Sequence, residues 1–300
     1  MKDINCNLCG FNNSEVLFYG QDKMFDLEGR FRVVKCTNCG LIYLNPQPEP
    51  EELGLYYPED YEPYNSKENP IVKWVKGEII KGDIKMIRNL IGERAEVLEI
   101  GCASGEYLAA LRDRGGFRVK GVELSPYAGA KAKEKGLDMF VGRLEEAGFR
   151  PESFDLVIAR HVLEHLSDPS NTLFEINRIL KPNGKFLAIL PNAATFERAI
   201  FRDVWCGYEV PRHLFVFSMA TLKEIFKKTN FELLSLRHSF VPNNWIMSLN
   251  YLLKKKCFKG RIVDFFNINN IFLLSLFTPL SLLQCLIKQS GRIEVIAQKR

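Results

Sequence analysis

Along residues 95–240, short apolar runs alternate with longer stretches in which apolar residues recur every three or four positions. Val97-Leu98-Glu99-Ile100 and Phe154-Asp155-Leu156-Val157-Ile158 are of the first kind, while Leu173, Ile176, Ile179 and Leu222, Ile225, Phe226 show the second. Short apolar runs bounded by turn residues predict buried strands, and the longer period predicts helices. Strands are expected at 95–100, 117–123, 138–141, 154–159, 184–190 and 231–239, and helices at 104–114, 126–135, 170–180 and 219–229. A last strand is expected at 292–298. Such alternation builds an α/β fold, a mostly parallel sheet covered on both faces. Ligands of these sheets sit outside the carboxyl ends of the strands.

The pattern changes at both ends. Upstream, Val16-Leu17-Phe18-Tyr19 and Phe31-Arg32-Val33-Val34 read as short strands, and a helix is expected at about 71–91. Asn45-Pro46-Gln47-Pro48-Glu49-Pro50 reads as a rigid linker that cannot be helical. The aromatic and acidic stretch Tyr56-Tyr57-Pro58-Glu59-Asp60-Tyr61 follows it. Downstream, apolar runs at 245–253 and 271–287 flank Lys254, Lys255, Lys256, Lys259 and Arg261. The second run approaches the roughly 20 residues that a bilayer span needs. Ser275, Thr278, Pro279, Ser281 and Gln284 make it a poor one. If the last strand rejoins the sheet, the chain must return to the side it left. A single crossing is then excluded and a surface-lying helical hairpin remains. Apolar faces with lysines between them suit an anionic membrane surface, so 245–287 is a candidate for peripheral membrane contact. Packing on the domain, or on a second subunit in a homodimer, stays open beside it.

Charge and cysteines narrow the classes. The net charge is +5, and residues 242–290 hold six cations against Asp264, which accounts for the whole excess. A dispersed basic footprint is absent, so nucleic acid is disfavoured as a partner. No charged and then apolar leader opens the chain, so a cytoplasmic location is expected. Cys6-x-x-Cys9-Gly10 and Cys36-x-x-Cys39-Gly40 match the two knuckles of a four-thiolate zinc ribbon. Four thiolates leave no open position on the metal, so this Zn2+ would be structural.

The most specific chemistry lies in Glu99-Ile100-Gly101-Cys102-Ala103-Ser104-Gly105, followed by Glu123-Leu124 at the end of the second strand. A dinucleotide turn wants glycines where this chain has Gly101, Ala103 and Glu106. Glu106 would face a pyrophosphate at the helix N-terminus and repel it. Glu99 beside the turn suits a cationic ligand instead, and Glu123 suits a ribose diol. S-adenosylmethionine has both features.

The turn resembles motif I of class I S-adenosylmethionine-dependent methyltransferases, with Ala103 in place of the middle glycine. The resemblance continues through Ser153–Ile158, His161-Val162-Leu163-Glu164-His165 and Leu180-Lys181-Pro182-Asn183-Gly184-Lys185, over roughly residues 95–240. It implies a Rossmann-like seven-stranded methyltransferase sheet with an N-terminal zinc ribbon and a helical apolar insertion before the last strand. The segments implied are a ribbon at 1–45, a linker and lid helix at 46–94, a catalytic domain at 95–241 plus 291–300, and the insertion at 242–290. It also implies cofactor contacts at Glu99, Gly101, Cys102, Ala103, Gly105, Glu123, Leu124 and Arg160, with Arg143 and Leu144 near the adenine. The linker tyrosines would line the site as a lid, or pack the ribbon against the domain.

A methyl acceptor that is a hydroxyl or a carbon acid must lose a proton, which calls for a base. The chain has four histidines. His213, in Tyr208-Glu209-Val210-Pro211-Arg212-His213, is the first candidate and His161 the second. This stretch resembles a substrate loop of sugar-modifying methyltransferases. His165 would anchor its loop to the following helix, and Arg212 could bind a sugar-nucleotide phosphate. No Asn/Asp-Pro-Pro-Tyr follows the fourth strand, which disfavours exocyclic amines. The resemblance to bacterial enzymes of sugar and cell-surface glycan biosynthesis implies a sugar nucleotide or lipid-linked saccharide, methylated on oxygen or carbon. Rival readings are an RNA methyltransferase that uses the ribbon to grip RNA, and a non-catalytic cofactor-binding scaffold at the membrane. Residues 1–45 carry five cations and five anions, which argues against the first.

Overall fold

The computed structural model describes residues 1–58 and 70–300, without the side chain of Ile71; Glu59, Asp60 and Tyr61 of the linker patch lie outside the described residues. Strands β1 (Ser14–Gly20), β2 (Phe31–Cys36) and β3 (Ile42–Leu44) come first, then helices α1 (Pro50–Gly54) and α2 (Pro70–Ile91). The central domain runs β4 (Glu96–Ile100), α3 (Glu106–Asp113), β5 (Arg118–Glu123), α4 (Pro126–Glu134), β6 (Asp138–Val141), β7 (Phe154–Arg160), α5 (Pro169–Ile179) and β8 (Leu180–Pro191). After it come α6 (Phe196–Phe201), β9 (Phe215–Val216), α7 (Met219–Lys228) and β10 (Phe231–His238). The insertion folds as α8 (Asn243–Lys255), α9 (Arg261–Phe265) and α10 (Ile271–Leu286), before β11 (Arg292–Lys299) closes the chain.

Seven strands form one sheet in the order β10-β11-β8-β7-β4-β5-β6. The five strands from β8 to β6 are parallel, and β11 inserts antiparallel between β8 and β10. The order reverses between β4 and β7, which opens a crevice at their carboxyl ends. Each face is covered. Leu98, Val157, Phe186 and Leu173 belong to one core cluster, and Val97, Leu156, Ile158, Ile84 and Ile87 to the other. Helix starts are capped as their sequences dictate. Ser125, Asp168, Ser218 and Asn270 each accept a backbone N–H of the first turn, and Pro126 and Pro169 open their helices.

Two features differ from the sequence expectation, and a third takes up an alternative that it left open. The proline-rich linker ends in a helix that starts at Pro50, because proline already holds the dihedral that a first helical residue needs. The first three strands do not stand alone, since β9 pairs antiparallel with β3 in a four-stranded sheet, β1-β2-β3-β9. The insertion packs on the domain along one side only. Buried Glu197 of α6 accepts from Asn244 at 3.1 Å, Gln284 at 2.8 Å and the Trp205 indole at 3.3 Å, and Trp245 stacks on Phe277. Among the described residues, no helix is long and apolar enough to cross a membrane.

Candidate active site

The turn after β4 is shaped by its glycines. Gly101 has φ +65°, and a Cβ there would lie 2.5 Å from Val162, in the loop after β7. Gly105 has φ +75°, and its Cβ would meet Leu137 at 2.4 Å and Ala132 at 3.0 Å. Both conformations are open to glycine at little cost. Ala103 also sits at φ +48° and is held there by its N–H, which donates to Glu123 Oε2 at 2.8 Å. Cys102 is buried with its sulfur near Met139, so it packs the turn.

Two carboxylates close this end of the sheet. Glu99 is buried, and its Oε2 has no hydrogen-bond partner. Burial lifts its carboxyl to about 7, with Arg160 pulling the value down and Glu123 pushing it up. Glu123 is held by the N–H groups of Ala103 and Ser125, at 2.8 and 2.9 Å, yet burial still raises its pKa. Arg160 ends β7 and lies 3.9 Å from the centre of the Tyr107 ring. Its Nε is buried and unpartnered, while Tyr107 donates to Asp83 of α2 at 3.2 Å. Leu124 is 67% exposed at the end of β5, Arg143 is exposed after β6, and Leu144 is buried in the main core.

A second cluster forms on the neighbouring strand ends. His213 is buried, and its Nδ1 donates to the Gly207 carbonyl at 2.9 Å. A carbonyl can only accept, so Nδ1 carries a proton, and in the neutral ring the lone pair is on Nε2. Nε2 lies 3.6 Å from Glu209 Oε2. The His213 and His165 rings meet edge to face at 4.6 Å. Glu164, 1% exposed, has one oxygen 3.2 Å from His161 Nδ1 and the other unpartnered. Glu164, His165 and His213 bring their polar atoms within 4.8 Å of one another. Burial raises the Glu164 and Glu209 carboxyls, but the surrounding histidines, with Arg212 for Glu209, outweigh it and hold both below the usual range. Burial, with His213 alongside, lowers His165 to about 4 and keeps it neutral. His161 joins the cluster through Glu164 but is exposed, just past the end of β7.

Two expectations for this loop are corrected. His165 does not anchor to its following helix; its Nδ1 meets the Arg212 carbonyl at 3.0 Å and the Tyr57 hydroxyl at 2.8 Å. Arg212 cannot reach a phosphate, because it is fully buried with its donors committed. Its Nη2 bonds Asp22 Oδ1 at 2.7 Å, Nε bonds Glu209 at 2.9 Å, and Nη1 bonds the Tyr56 carbonyl at 3.1 Å. No local signal marked Asp22 as its partner, since 190 residues separate the two.

On the ribbon, Cys6, Cys9, Cys36 and Cys39 bring their sulfurs within 4.8 Å of one another, with Cys6–Cys39 at 3.4 Å and Cys9–Cys36 at 3.6 Å. A zinc tetrahedron with Zn–S bonds of about 2.3 Å has edges of about 3.8 Å, so the donor set fits. Gly10 and Gly40, at φ +73° and +77°, turn each knuckle back on its first cysteine. A cavity of about 360 Å³ opens on the ribbon, lined by Asp3, Asn12, Arg32 and Asn45 among others, away from the strand ends.

A crevice at the strand-order reversal, a glycine turn and an acid at the carboxyl end of each of β4 and β5 define a nucleotide-cofactor site of the Rossmann-like kind. Residues 78–236 match a family described as Methyltransferase domain, and the chain belongs to that family. It is similar to a probable S-adenosylmethionine-dependent methyltransferase of Mycolicibacterium smegmatis, at 33% identity over 46% of this chain and 52% of that one. It is also similar to the ubiquinone biosynthesis O-methyltransferase of Pseudomonas entomophila, at 33% identity over 43% and 62%. The chain thus spans about half the length of the curated relatives it matches. A geranyl diphosphate C-methyltransferase from Streptomyces coelicolor shares the fold, with a TM-score of 0.50 at 12% identity over 73% of this chain and 76% of that one.

Proposed function

We propose that this protein transfers a methyl group from S-adenosylmethionine to an oxygen or carbon of a small-molecule acceptor, a sugar nucleotide or a lipid-linked saccharide. The observation that carries the reading is the pair of unsatisfied buried groups beside the glycine turn, Glu99 Oε2 and Arg160 Nε. An amino-acid zwitterion supplies an ammonium for the first and a carboxylate for the second. Glu123 keeps lone pairs for a ribose diol. The backbone of Gly101, Cys102, Ala103 and Gly105 forms the wall of the pocket, and Leu124, Arg143 and Leu144 are assigned to the adenine side. When bound, the cofactor supplies a methyl group already activated on a sulfonium.

The chain's own residues orient the acceptor and remove its proton. His213 is the base, because its Nδ1–H is tied to Gly207 and Nε2 alone is free to accept. Glu209, beside Nε2, and Glu164 favour the imidazolium that forms. His161, exposed and bonded to Glu164, is the second candidate. A Zn2+ on the four cysteines would hold the ribbon without touching substrate.

The outer face of α10 supports peripheral contact with an anionic membrane, which suits a lipid-linked acceptor. Phe272, Leu276, Leu283, Leu286 and Ile287 are exposed on it. Lys254 and Lys255 are spent on Asp26 and Asp203, so Lys256, Lys259, Arg261 and Lys288 would carry the electrostatic part.

The test is methyl transfer from S-adenosylmethionine to a panel of UDP-, dTDP- and GDP-sugars, with His213→Ala and His161→Ala alongside wild type. His213→Ala is expected to lower kcat about 10²- to 10⁴-fold and leave S-adenosylhomocysteine affinity unchanged. Normal turnover by that variant would end the base assignment.

A further inference from the structure

The two knuckles of the ribbon are separated by more chain than a minimal ribbon uses, and the structure shows where that chain goes. The loop between β1 and β2 carries Asp22 and Phe25 away from the cysteines to the segment that bears His213. Asp22 accepts from Arg212 Nη2 at 2.7 Å, and both side chains are completely buried. Asp22 Oδ1 also accepts the Met24 N–H at 3.0 Å, which orients the carboxylate within its own loop. Phe25 lies under the guanidinium, 5.4 Å from ring centre to Cζ. On its other sides Arg212 binds Glu209 and the Tyr56 carbonyl of the linker. Just past His213, the Leu214 carbonyl accepts the Leu44 N–H at 2.9 Å, and β9 continues the pairing with β3.

His213 therefore sits between two attachments to the ribbon, one at Arg212 and one at Leu214. We propose that the ribbon is a brace for the base loop, and that Asp22 is a positioning residue that holds His213 in its working orientation through Arg212 and Glu209. The inference rests on the reading of His213 as base, and it assigns the ribbon a part in the active site in place of a separate recognition module. The physical argument is one of alternatives. A desolvated guanidinium binds a buried carboxylate far more strongly than either group tolerates being left alone. The clamp accordingly favours the arrangement of residues 207–216 that the structure shows. In that arrangement the Gly207 carbonyl meets His213 Nδ1, Glu209 Oε1 binds Arg212, and Glu209 Oε2 faces His213 Nε2. Without the clamp, the ribbon still touches this segment through Phe18 on Tyr208 and the β3–β9 pairing past His213, and neither contact holds Glu209 and Arg212 in the arrangement that goes with the less common Nδ1–H tautomer.

Two measurements on the full-length chain test this without knowledge of the acceptor. The first is hydrogen–deuterium exchange, read on a peptide covering 207–216 and on one covering 99–123. The second is the long-range ¹H–¹⁵N spectrum of the imidazoles, with His213 assigned by its loss in His213→Ala. In Asp22→Asn, exchange in 207–216 is expected to accelerate at least tenfold while 99–123 is unchanged. His213 is expected to shift from the Nδ1–H pattern toward the Nε2–H pattern, with one S-adenosylhomocysteine still bound per chain. If Asp22→Asn does not fold, Asp22→Asn/Arg212→Met takes its place, because it leaves no unpaired guanidinium in the interior. Unchanged exchange in 207–216 and an unchanged tautomer in a folded variant would overturn the proposal. So would equal acceleration in both peptides, which would mark a general loss of stability. Normal turnover by His213→Ala would remove the base reading and leave the exchange result standing, so the two failures are distinguishable.

Discussion

Lowering the pH from 8 to 6 is expected to weaken S-adenosylhomocysteine binding about tenfold, and Glu99 is the reason. Its carboxyl is buried, has an unpartnered oxygen and is lifted by desolvation to about 7. A group with that pKa is about nine-tenths ionised at pH 8 and about one-tenth ionised at pH 6. If the ligand's ammonium binds only the carboxylate form, the apparent affinity scales with the ionised fraction, and the ratio between the two pH values is about ten. The effect on folding has the opposite sign. A carboxyl raised in the folded state contributes stability that is fully present below its unfolded value near 4.5 and is lost as the pH rises through about 7. The unliganded protein therefore loses this increment between about pH 4.5 and 7, while the ligand-induced rise in Tm grows as the pH rises toward and through 7. Isothermal titration at pH 6, 7 and 8, in buffers of different ionisation enthalpy, reads both the affinity and the proton released on binding. Glu99→Gln is expected to flatten the profile. A Kd that stays constant from pH 6 to 8, with no buffer-dependent heat in wild type, would refute the placement of the ammonium at Glu99.

Further outcomes follow from the packing and the surface. Gly105→Ala places a Cβ 2.4 Å from Leu137 in a left-handed conformation and is expected to cost roughly 2–4 kcal/mol, measured by urea unfolding, because overpacking and backbone strain add. Leu276→Glu/Leu283→Glu is expected to abolish flotation with phosphatidylserine vesicles and leave the Tm within about 2 °C, since both side chains are exposed on α10. Absence of flotation in wild type would dismiss the membrane contact.

The parallel core was legible because it is local. β4, β7 and the second half of β8 are short apolar runs, α4 and α5 each start at a capping residue followed by proline, and the glycine turn lies within seven residues. Boundaries moved by one or two residues, except at β8, which starts at Leu180 where the expectation was 184. The cysteine knuckles were legible for the same reason, since Cys6–Cys9 and Cys36–Cys39 are pairs at fixed spacing. What the sequence did not show is everything that depends on two distant segments meeting. β3 and β9 are too short to read as strands; β3 pairs with β2 on one side and β9 on the other, and β9 pairs with β3 across a long stretch of chain. Arg212 read as a free cation that could take a phosphate, and only the tertiary structure committed it to Asp22. The place of Glu99 at a strand end is visible in the sequence, yet its raised pKa comes from the burial that the assembled sheet imposes. Local pattern determined the elements and the cofactor class. Which groups lost water and which found partners, and so which chemistry they can perform, was decided only when the ribbon, the linker and the base loop packed together.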